Sequence, residues 1–470
     1  MKRWQLSALA ALGGVAQTLS LAPFDWVALL PIGLLCWLIA LRHAPVLASF
    51  CFGLGLYASG ASWVWISIHD VAGTPLLIAA VLQSAFIVGL AGVFAVNGWF
   101  FGRLARVSLW LSFPATLLIS EFIRTYFLTG FPWLLAGYAW LDTPWQSLAP
   151  IVGVYGLSAL AALIAVAMYQ RSLWMIALLA LALVPNTQWT ESTDSRSFTL
   201  VQGNIPANQK WSPQWRDTII DRHIDLTLAQ PADIVLWSEA ALPLLNQDAD
   251  AFFERLSQAL PNTALVSGRL IRGPEDRLPR YYNALAGFGL ASGADYKSRL
   301  VPFGEYMPLE PWLRGAIDFF DLPLSTIIAG RSPKPLNIAG WVPGTLICYE
   351  VAYPGLAWQI ARDSDVLISV SNDAWFGASI ARDQHLQMAR MRALELGRDM
   401  LRATNDGVTA HIDSTGQLVG QLDNFTVQAL TGQVQGRSGR TPYGWIGHWP
   451  WLAFAVLMAA IAVPLGRRAR

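Results

Sequence analysis

The apolar residues of this chain are unevenly distributed, and that distribution limits what it can fold into. From residue 1 to about 188 the sequence is a series of apolar stretches, at about 5–21, 26–41, 47–67, 75–99, 107–127, 151–169 and 172–188. From about 190 to 440 it changes to mixed polar sequence, and "WPWLAFAVLMAAIAVPLG" at 449–466 is an eighth apolar stretch. A helix of about 20 apolar residues crosses the hydrocarbon core of a bilayer. The second stretch is short and Pro114 interrupts the fifth. Only 13% of the 470 residues are charged and 54% are hydrophobic, whereas a soluble domain carries about 25% charged residues. The expected architecture is a polytopic α-helical membrane bundle of about eight spans with one polar domain between the seventh and the eighth. The net charge of +1 gives no case for nucleic acid. Cys36 and Cys51 lie in apolar stretches and Cys348 stands alone in the polar region, so no disulfide framework is indicated.

Basic residues set the orientation. Lys2 and Arg3 precede the first stretch, Arg42 follows the second, Arg103 and Arg106 follow the fourth, and Arg171 follows the sixth. Arg467, Arg468 and Arg470 follow the last. With eight spans all of these fall on one side, which the positive-inside rule makes the cytoplasm. The polar domain then lies outside, which in a bacterium is the periplasm. The resulting division is a bundle at 1–189, an outer domain at 190–440, and a final helix with a basic tail at 441–470. The other reading of the first stretch is a cleaved signal peptide, but no clear cleavage site follows it. His69 and Asp70 close the third stretch. Glu121 and Arg124 lie one helical turn apart, as a structural ion pair or as a lipid-headgroup contact. The aromatic segment 128–150 is expected to lie on the outer leaflet.

In the polar region, apolar runs at 197–204, 233–239, 263–270, 283–289, 344–350, 365–373 and 407–414 read as strands. Segments 214–230 and 383–404 read as helices. Alternating strands and helices indicate an α/β sandwich, whose chemistry gathers at the carboxyl ends of strands. Glu239 ends one strand, Cys348 ends another, and Lys297 follows a third.

Those residue types form a coherent set. A thiol becomes a nucleophile when a base takes its proton. A carboxylate can be that base, and a cation can stabilise the oxyanion formed on an acyl carbon. The chain has only four lysines, Lys2, Lys210, Lys297 and Lys334, so a lysine inside a site would be unusual. Each residue has a plainer reading: a core cysteine, a solvated lysine, a glutamate serving a helix cap. His223, His385 and His411 leave a Cys–His pair possible, but no local signature supports one. No Cys/His cluster has metal-ligand spacing, and "GFGLASG" at 287–293 lacks the strand–helix setting of a phosphate loop. No cofactor is expected.

The stretches "LWSEAALP", "YKSRLVPFGEYMP", "LICYEVAYP" and "VSNDAWFG", followed by "RALELGRDMLRATNDGVTAHIDSTGQLV", together resemble the nitrilase superfamily of carbon–nitrogen hydrolases. With apolar stretches on both sides of that domain, the whole chain resembles the apolipoprotein N-acyltransferase family. The resemblance implies an αββα sandwich and a catalytic triad of Glu239 as base, Lys297 as stabiliser and Cys348 as nucleophile. It further implies that the Tyr349 N–H contributes to an oxyanion hole, that Glu305 holds Lys297, and that Glu350 supports the loop after the nucleophile. Trp211 and Asn283 match positions associated with the site or its substrates. Ser238 replaces a proline often found before the glutamate.

The implied reaction is ping-pong. An acyl chain passes from a membrane phospholipid, with phosphatidylethanolamine the favoured donor, to Cys348 as a thioester. It then passes to the α-amino group of the N-terminal diacylglyceryl-cysteine of an apolipoprotein. The implied location is the bacterial inner membrane. Segments 311–330 and 373–383 are candidate lids, or ordinary packing surfaces. The competing readings are a membrane-tethered amidase using the same triad, and a transporter or scaffold with an inactive outer domain.

Overall fold

Each apolar stretch becomes a helix in the computed structural model of the chain, which describes residues 1–104, 106–274, 280–302, 304–306, 327–331 and 334–465. The first seven are α1 (Arg3–Leu19), α2 (Leu29–Leu41), α3 (Pro45–Gly60), α4 (Leu76–Arg103), α5 (Leu109–Tyr126), α6 (Ala149–Gln170) and α7 (Trp174–Ala180). The eighth is the helix Trp449–Leu465. α5 runs through Pro114 unbroken. Among the described residues, two helices, Leu76–Arg103 and Pro144–Gln170, are long and apolar enough to cross a membrane. α7 has only 7 residues, about 10 Å of helix, so the stretch at 172–188 is shorter as a helix than its apolar composition suggested.

The chain divides into two units. The helical unit comprises Met1–Thr187, Phe376–Met391 and Thr441–Arg470, and the α/β unit comprises Gln188–Trp375 and Arg392–Arg440. The segment 376–391 therefore clusters with the helices, although its sequence lies inside the polar region.

In the helical unit, α1 and α2 meet where neither has a side chain. A Cβ on Gly13 would stand 2.6 Å from the Gly33 carbonyl oxygen, and one on Gly33 equally close to that of Gly13. Small residues at a crossing let backbones approach and gain dispersion contact. Trp37 then stacks on Phe52 at 4.7 Å and tilts against Phe113 at 5.4 Å. The expectation for 128–150 is corrected here: Trp133, Leu134, Leu135, Ala136, Tyr138 and Trp140 are buried, not spread on a surface. The cause is the Glu121–Arg124 pair, whose side chains are 0% exposed. Arg124 Nη2 donates to Glu121 Oε1 at 3.3 Å and to the Leu134 carbonyl at 3.0 Å, and Glu121 accepts from Ala136 N at 2.8 Å. An ion pair without access to water needs further hydrogen bonds, and the inward-folded segment supplies them. A headgroup contact by these two residues is excluded by their burial. Segment 376–383 is likewise packed. Phe376 lies against Trp63 at 5.0 Å and against His385 at 5.6 Å, so this residue packs within the helical unit. Most of the other lid candidate, residues 311–326 of the stretch 311–330, lies outside the described residues.

Among the described residues the α/β unit forms two large sheets and a small two-stranded one. Its strands are β1 (Glu191–Gln202), β2 (Ile234–Trp237), β3 (Ala264–Arg272), β4 (Tyr281–Gly289), β5 (Ala291–Ser292), β6 (Ala294–Tyr296) and β7 (Asn337–Ile338). They continue as β8 (Pro343–Ile347), β9 (Val366–Ser371), β10 (Met400–Thr404), β11 (Ala410–Ile412), β12 (Leu418–Gln421) and β13 (Gln428–Ser438). One sheet runs β13-β1-β2-β3-β4-β6 and the other β12-β11-β10-β9-β8, while β5 pairs with β7. In the first sheet β1, β2 and β3 are parallel; in the second, β8, β9 and β10 are parallel.

Alternation along the strands builds the layers. Phe198, Leu200, Ile234, Leu236, Ala264 and Val266 of the first sheet share one core with Ile347, Ile368, Val370, Leu401 and Ala403 of the second. The opposite faces of β1 and β2 present Val201, Val235 and Trp237 to α8 (Arg216–Ala229) and α9 (Asn246–Ala259). The helix Pro354–Ala361 follows β8. Each fully buried Val, Ile or Leu contributes about 1.5–3 kcal/mol relative to exposure.

The helix expected over 383–404 ends early. It spans Ala381–Leu396, Gly397 takes φ +63°, and Met400–Thr404 is β10, parallel to β9. Arg402 in the middle of β10 is buried: its Nη2 donates to Asp373 Oδ2 at 3.1 Å, its Nη1 to Ser369 Oγ at 3.2 Å and its Nε to the Val408 carbonyl at 3.2 Å. Breaking a buried pair costs on the order of 3–5 kcal/mol. Arg402→Met is expected to lower the unfolding temperature of the detergent-solubilised protein by several degrees. An unchanged melting curve in scanning fluorimetry would contradict the structural role given to this pair.

Candidate active site

The site is built at the carboxyl ends of parallel strands. Glu239 lies two residues beyond β2, Cys348 directly follows β8, and Asn372 directly follows β9. Two neighbouring backbone positions are strained: Ala240 has φ +43° and Cys348 has φ +54°. Non-glycine residues in the left-handed region cost about 1–3 kcal/mol and persist only where the surroundings enforce them. At Cys348 the chain leaves an extended strand and enters the tight turn Cys348–Ala352, which keeps the thiol at the end of the strand.

The charged groups form one network. The Glu239 carboxylate accepts from Asn283 Nδ2 at 2.6 Å and Lys297 Nζ at 3.3 Å through Oε1, and from Asn372 N at 2.9 Å through Oε2. Lys297 Nζ, 1% exposed, also donates to Glu305 Oε1 at 2.8 Å. Glu305 is held in turn by Asn283 Nδ2 at 3.1 Å and Val301 N at 2.9 Å. Lys297 N donates to the Asn283 carbonyl at 2.8 Å, which ties the lysine loop to the edge of β4.

Glu350 acts on the backbone. Its Oε1 accepts from Ser298 N and Ser298 Oγ, each at 2.8 Å, and from Arg299 N at 3.0 Å. Its Oε2 accepts from Ile347 N at 2.9 Å. One buried carboxylate thus joins the loop after Lys297 to the residue before Cys348. Tyr349 is buried, with its ring edge-on to Tyr353 at 5.3 Å. Trp211 is not part of the network: it is 46% exposed on the loop after β1.

The protonation pattern follows from these contacts. Burial raises the Cys348 thiol far above its ordinary value and the Glu239 carboxylate raises it further, while Lys297 acts the other way; Ser371 adds a hydrogen bond that also lowers it. Burial alone would raise Glu239, but Lys297, Asn283, the Asn372 N–H and Lys210 together hold it below the usual carboxylate value. Burial opposes the Lys297 charge, yet Glu239, Glu305 and Cys348 keep its pKa well above that of an ordinary lysine. The resting state is therefore a neutral thiol beside an ionised carboxylate and an ammonium. Such a thiol reacts only as its proton leaves, and a nearby ionised carboxylate is the kind of group that can take it.

Of the residues singled out from sequence, Glu239, Lys297, Glu305 and Asn283 share hydrogen bonds, Cys348 lies within their electrostatic reach, and Glu350 fixes the backbone around them. Sequence reasoning missed the Asn372 N–H, Ser371 and Lys210. Lys210 Nζ donates to the Glu239 carbonyl at 3.3 Å. Its signal was the scarcity of lysine itself. The "VSND" at the end of β9 had the same strand-end position as Glu239 and Cys348.

Comparison with known proteins agrees in both halves of the chain. Residues 13–167 match the family described as apolipoprotein N-acyltransferase N-terminal domain, and residues 162–443 match carbon-nitrogen hydrolase. An apolipoprotein N-acyltransferase of Azotobacter vinelandii is 42% identical over 498 residues, covering 99% of this chain and 96% of the relative. One of Pseudomonas syringae pv. tomato is 37% identical over 493 residues, covering 99% and 97%. One of Methylococcus capsulatus is 36% identical over 491 residues, covering 98% and 96%.

The dyad has a testable pH signature. With the Glu239 pKa lowered from 4.5, its carboxylate is present throughout neutral pH and is lost only as pH falls through that lowered value. Iodoacetamide alkylation of Cys348, read by peptide mass spectrometry, is expected to be flat between about pH 5 and pH 7 in the wild type. In Glu239→Gln the plateau should vanish, and the rate should climb about tenfold per pH unit as the isolated thiol titrates. A plateau that survives in Glu239→Gln would remove Glu239 from the role of base.

Proposed function

The chain belongs to the apolipoprotein N-acyltransferase family, and from that premise we propose that Cys348 carries an acyl group from a membrane phospholipid to a lipoprotein amine. The acceptor is the α-amino group of the diacylglyceryl-cysteine at an apolipoprotein's N-terminus. The donor we favour is phosphatidylethanolamine, through its sn-1 ester. The observation that carries the reading is the buried Glu239–Lys297–Glu305 network set against a thiol held at a strained strand end.

In the first half-reaction Cys348 Sγ attacks the ester carbonyl carbon as its proton passes to Glu239. The oxyanion faces the Lys297 ammonium and the Tyr349 N–H, where donors placed in advance stabilise the developing charge. The intermediate collapses with rupture of the acyl C–O bond. The departing lysophospholipid oxygen takes the proton back from Glu239, leaving a thioester. In the second half-reaction the amine nitrogen attacks the thioester carbonyl and gives its proton to Glu239. The C–S bond then breaks, and Cys348 recovers a proton. Glu305 keeps Lys297 aimed at the oxyanion in both halves, and the exposed Trp211, next in sequence to Lys210, is a candidate substrate contact. A thioester survives only where water is scarce.

The eight-helix order and the placement of arginine support a topology with both termini cytoplasmic and the α/β unit in the periplasm of a bacterial inner membrane. Both substrates would then be anchored in the membrane surface that faces the catalytic unit. A membrane-tethered amidase is not favoured, because the N-terminal match at 13–167 is to acyltransferases.

Intact-protein mass spectrometry after incubation with phosphatidylethanolamine and no acceptor tests this. The wild type should gain one hydroxylamine-labile acyl mass and Cys348→Ala should gain none. A diacylated lipopeptide with a free amine should clear the adduct. A folded, membrane-embedded wild type that gains no adduct would refute the phospholipid donor.

A further inference from the structure

At the backbone of Glu239 lies a second set of buried titratable groups that the mechanism above does not use. Lys210 is 4% exposed and His223 1% exposed. Lys210 Nζ donates to the Glu239 backbone carbonyl at 3.3 Å. Glu239 and Asp406 both act on it as anions. His223, on α8, binds the Ile219 carbonyl through Nδ1 at 2.8 Å and rests against Trp237 at 5.0 Å. It feels Lys210 and Arg222 as like charges, and burial is the main reason that its pKa falls to about 4. At ordinary pH His223 is therefore neutral and does not compete with Lys210.

The turn that Lys210 touches is the strained one. Ala240 takes φ +43°, and Ala241 N donates to the Gly268 carbonyl at 3.0 Å. Gly268 has no side chain because a Cβ there would stand 2.6 Å from Glu239 Cα. The Glu239 carboxylate is thus presented by a tight backbone turn with β3 on one side and a buried ammonium on its carbonyl. The same ammonium belongs to the residue just before the exposed Trp211.

We propose that Lys210 is a positioning residue for the acyl-transfer reaction: its ammonium, bound to the Glu239 carbonyl, pins the base-bearing turn and supplies a second positive charge that keeps the base carboxylate ionised. This deepens the function proposed above and rests on Glu239 being the base for Cys348. The charge balance explains the need. On the front of the site two carboxylates, Glu239 and Glu305, share one ammonium, Lys297. Lys297, Asn283 and the Asn372 N–H do most to keep Glu239 ionised, and Lys210 adds to them against the repulsion between the carboxylates. Burial costs Lys210 much of its own preference for charge and lowers its pKa to about 8, while Glu239 and Asp406 pull it back up. It therefore stays cationic through neutral pH and loses its charge just above it.

The test is the pH profile of Cys348 alkylation by iodoacetamide in the full-length, detergent-solubilised protein. No lipid enters the assay, so a wrong phospholipid donor would leave the result intact. Removing the charge with Lys210→Met is expected to move the acid limb upward by about 0.5–1 pH unit. At the foot of the acid limb, below both the wild-type and the shifted Glu239 pKa, the rate relative to wild type should then be about three- to tenfold lower than at pH 7.5. Lys210→Arg, which keeps a positive charge, should keep the wild-type acid limb. A purely structural role predicts an equal loss at every pH and no rescue by arginine, and that result would overturn the proposal. If Lys210→Met does not fold, the wild type itself decides. Its rate should step upward near pH 8 as Lys210 deprotonates and Glu239 becomes a stronger base, and the step should be missing in Lys210→Arg. A wild-type profile without the step would equally overturn the proposal. Phosphatidylethanolamine acylation run in parallel separates the two claims: failure there with a normal alkylation profile refutes the donor and leaves Lys210 in its role.

Discussion

An ammonium that is 1% exposed must be surrounded by anions, and the α/β unit is organised around that requirement at Lys297. Burying an ion without a partner costs several kcal/mol after relaxation. Glu239 and Glu305 meet the need, but two buried carboxylates then require donors of their own. Asn283 serves both, the Asn372 N–H serves one, and the Val301 N–H serves the other. These partners come from β4, from the end of β9 and from the loop after Lys297, so the charge network holds three separate parts of the chain together. Glu350 adds the fourth by tying the lysine loop to β8 just before Cys348. The strain at Cys348 and Ala240 can be sustained because the network and the two sheets leave those residues no other arrangement.

The helical unit meets the same problem in the same way. Glu121 and Arg124 are sealed from solvent and make further hydrogen bonds with backbone groups of Leu134 and Ala136. In an apolar interior every polar group must be satisfied internally, so the segment that supplies the partners folds inward. Its aromatic residues follow, and Trp133 comes to lie beside Phe376 and His385 of the segment 376–391. Gln384 Oε1 accepts from Trp133 Nε1 at 2.6 Å. A stretch embedded in the polar part of the sequence is thereby built into the helical unit.

Some of this was legible in the sequence and some was not, for identifiable reasons. β2, β3, β8 and β9 are parallel strands covered on both faces, and such strands appear as continuous apolar runs. β10 escaped because Arg402 reads as the polar face of a helix until its buried partners Asp373 and Ser369 are known. β13 is an edge strand of glutamines, glycines and short side chains, and only its antiparallel register with β1 identifies it. Glu239, Lys297 and Cys348 stood out because each is a reactive group at or just after a strand. Asn372 escaped because it contributes a backbone N–H, which any residue has. Lys210 escaped because nothing in its local sequence reveals that its side chain is buried.

The sequence by itself determined the division into apolar helices and a polar α/β region, since hydropathy and its period act over short stretches. It also determined which reactive groups stand at strand ends. Only the tertiary structure decided which charges meet. Glu239 and Lys297 are 58 residues apart in the chain, and Asn372 reaches Glu239 across 133. Segment 376–391 joins the helices, and Lys210 reaches the turn that bears Glu239, for the same reason. A buried charge must find its partner wherever packing brings one, and separation along the chain carries no information about that distance in space.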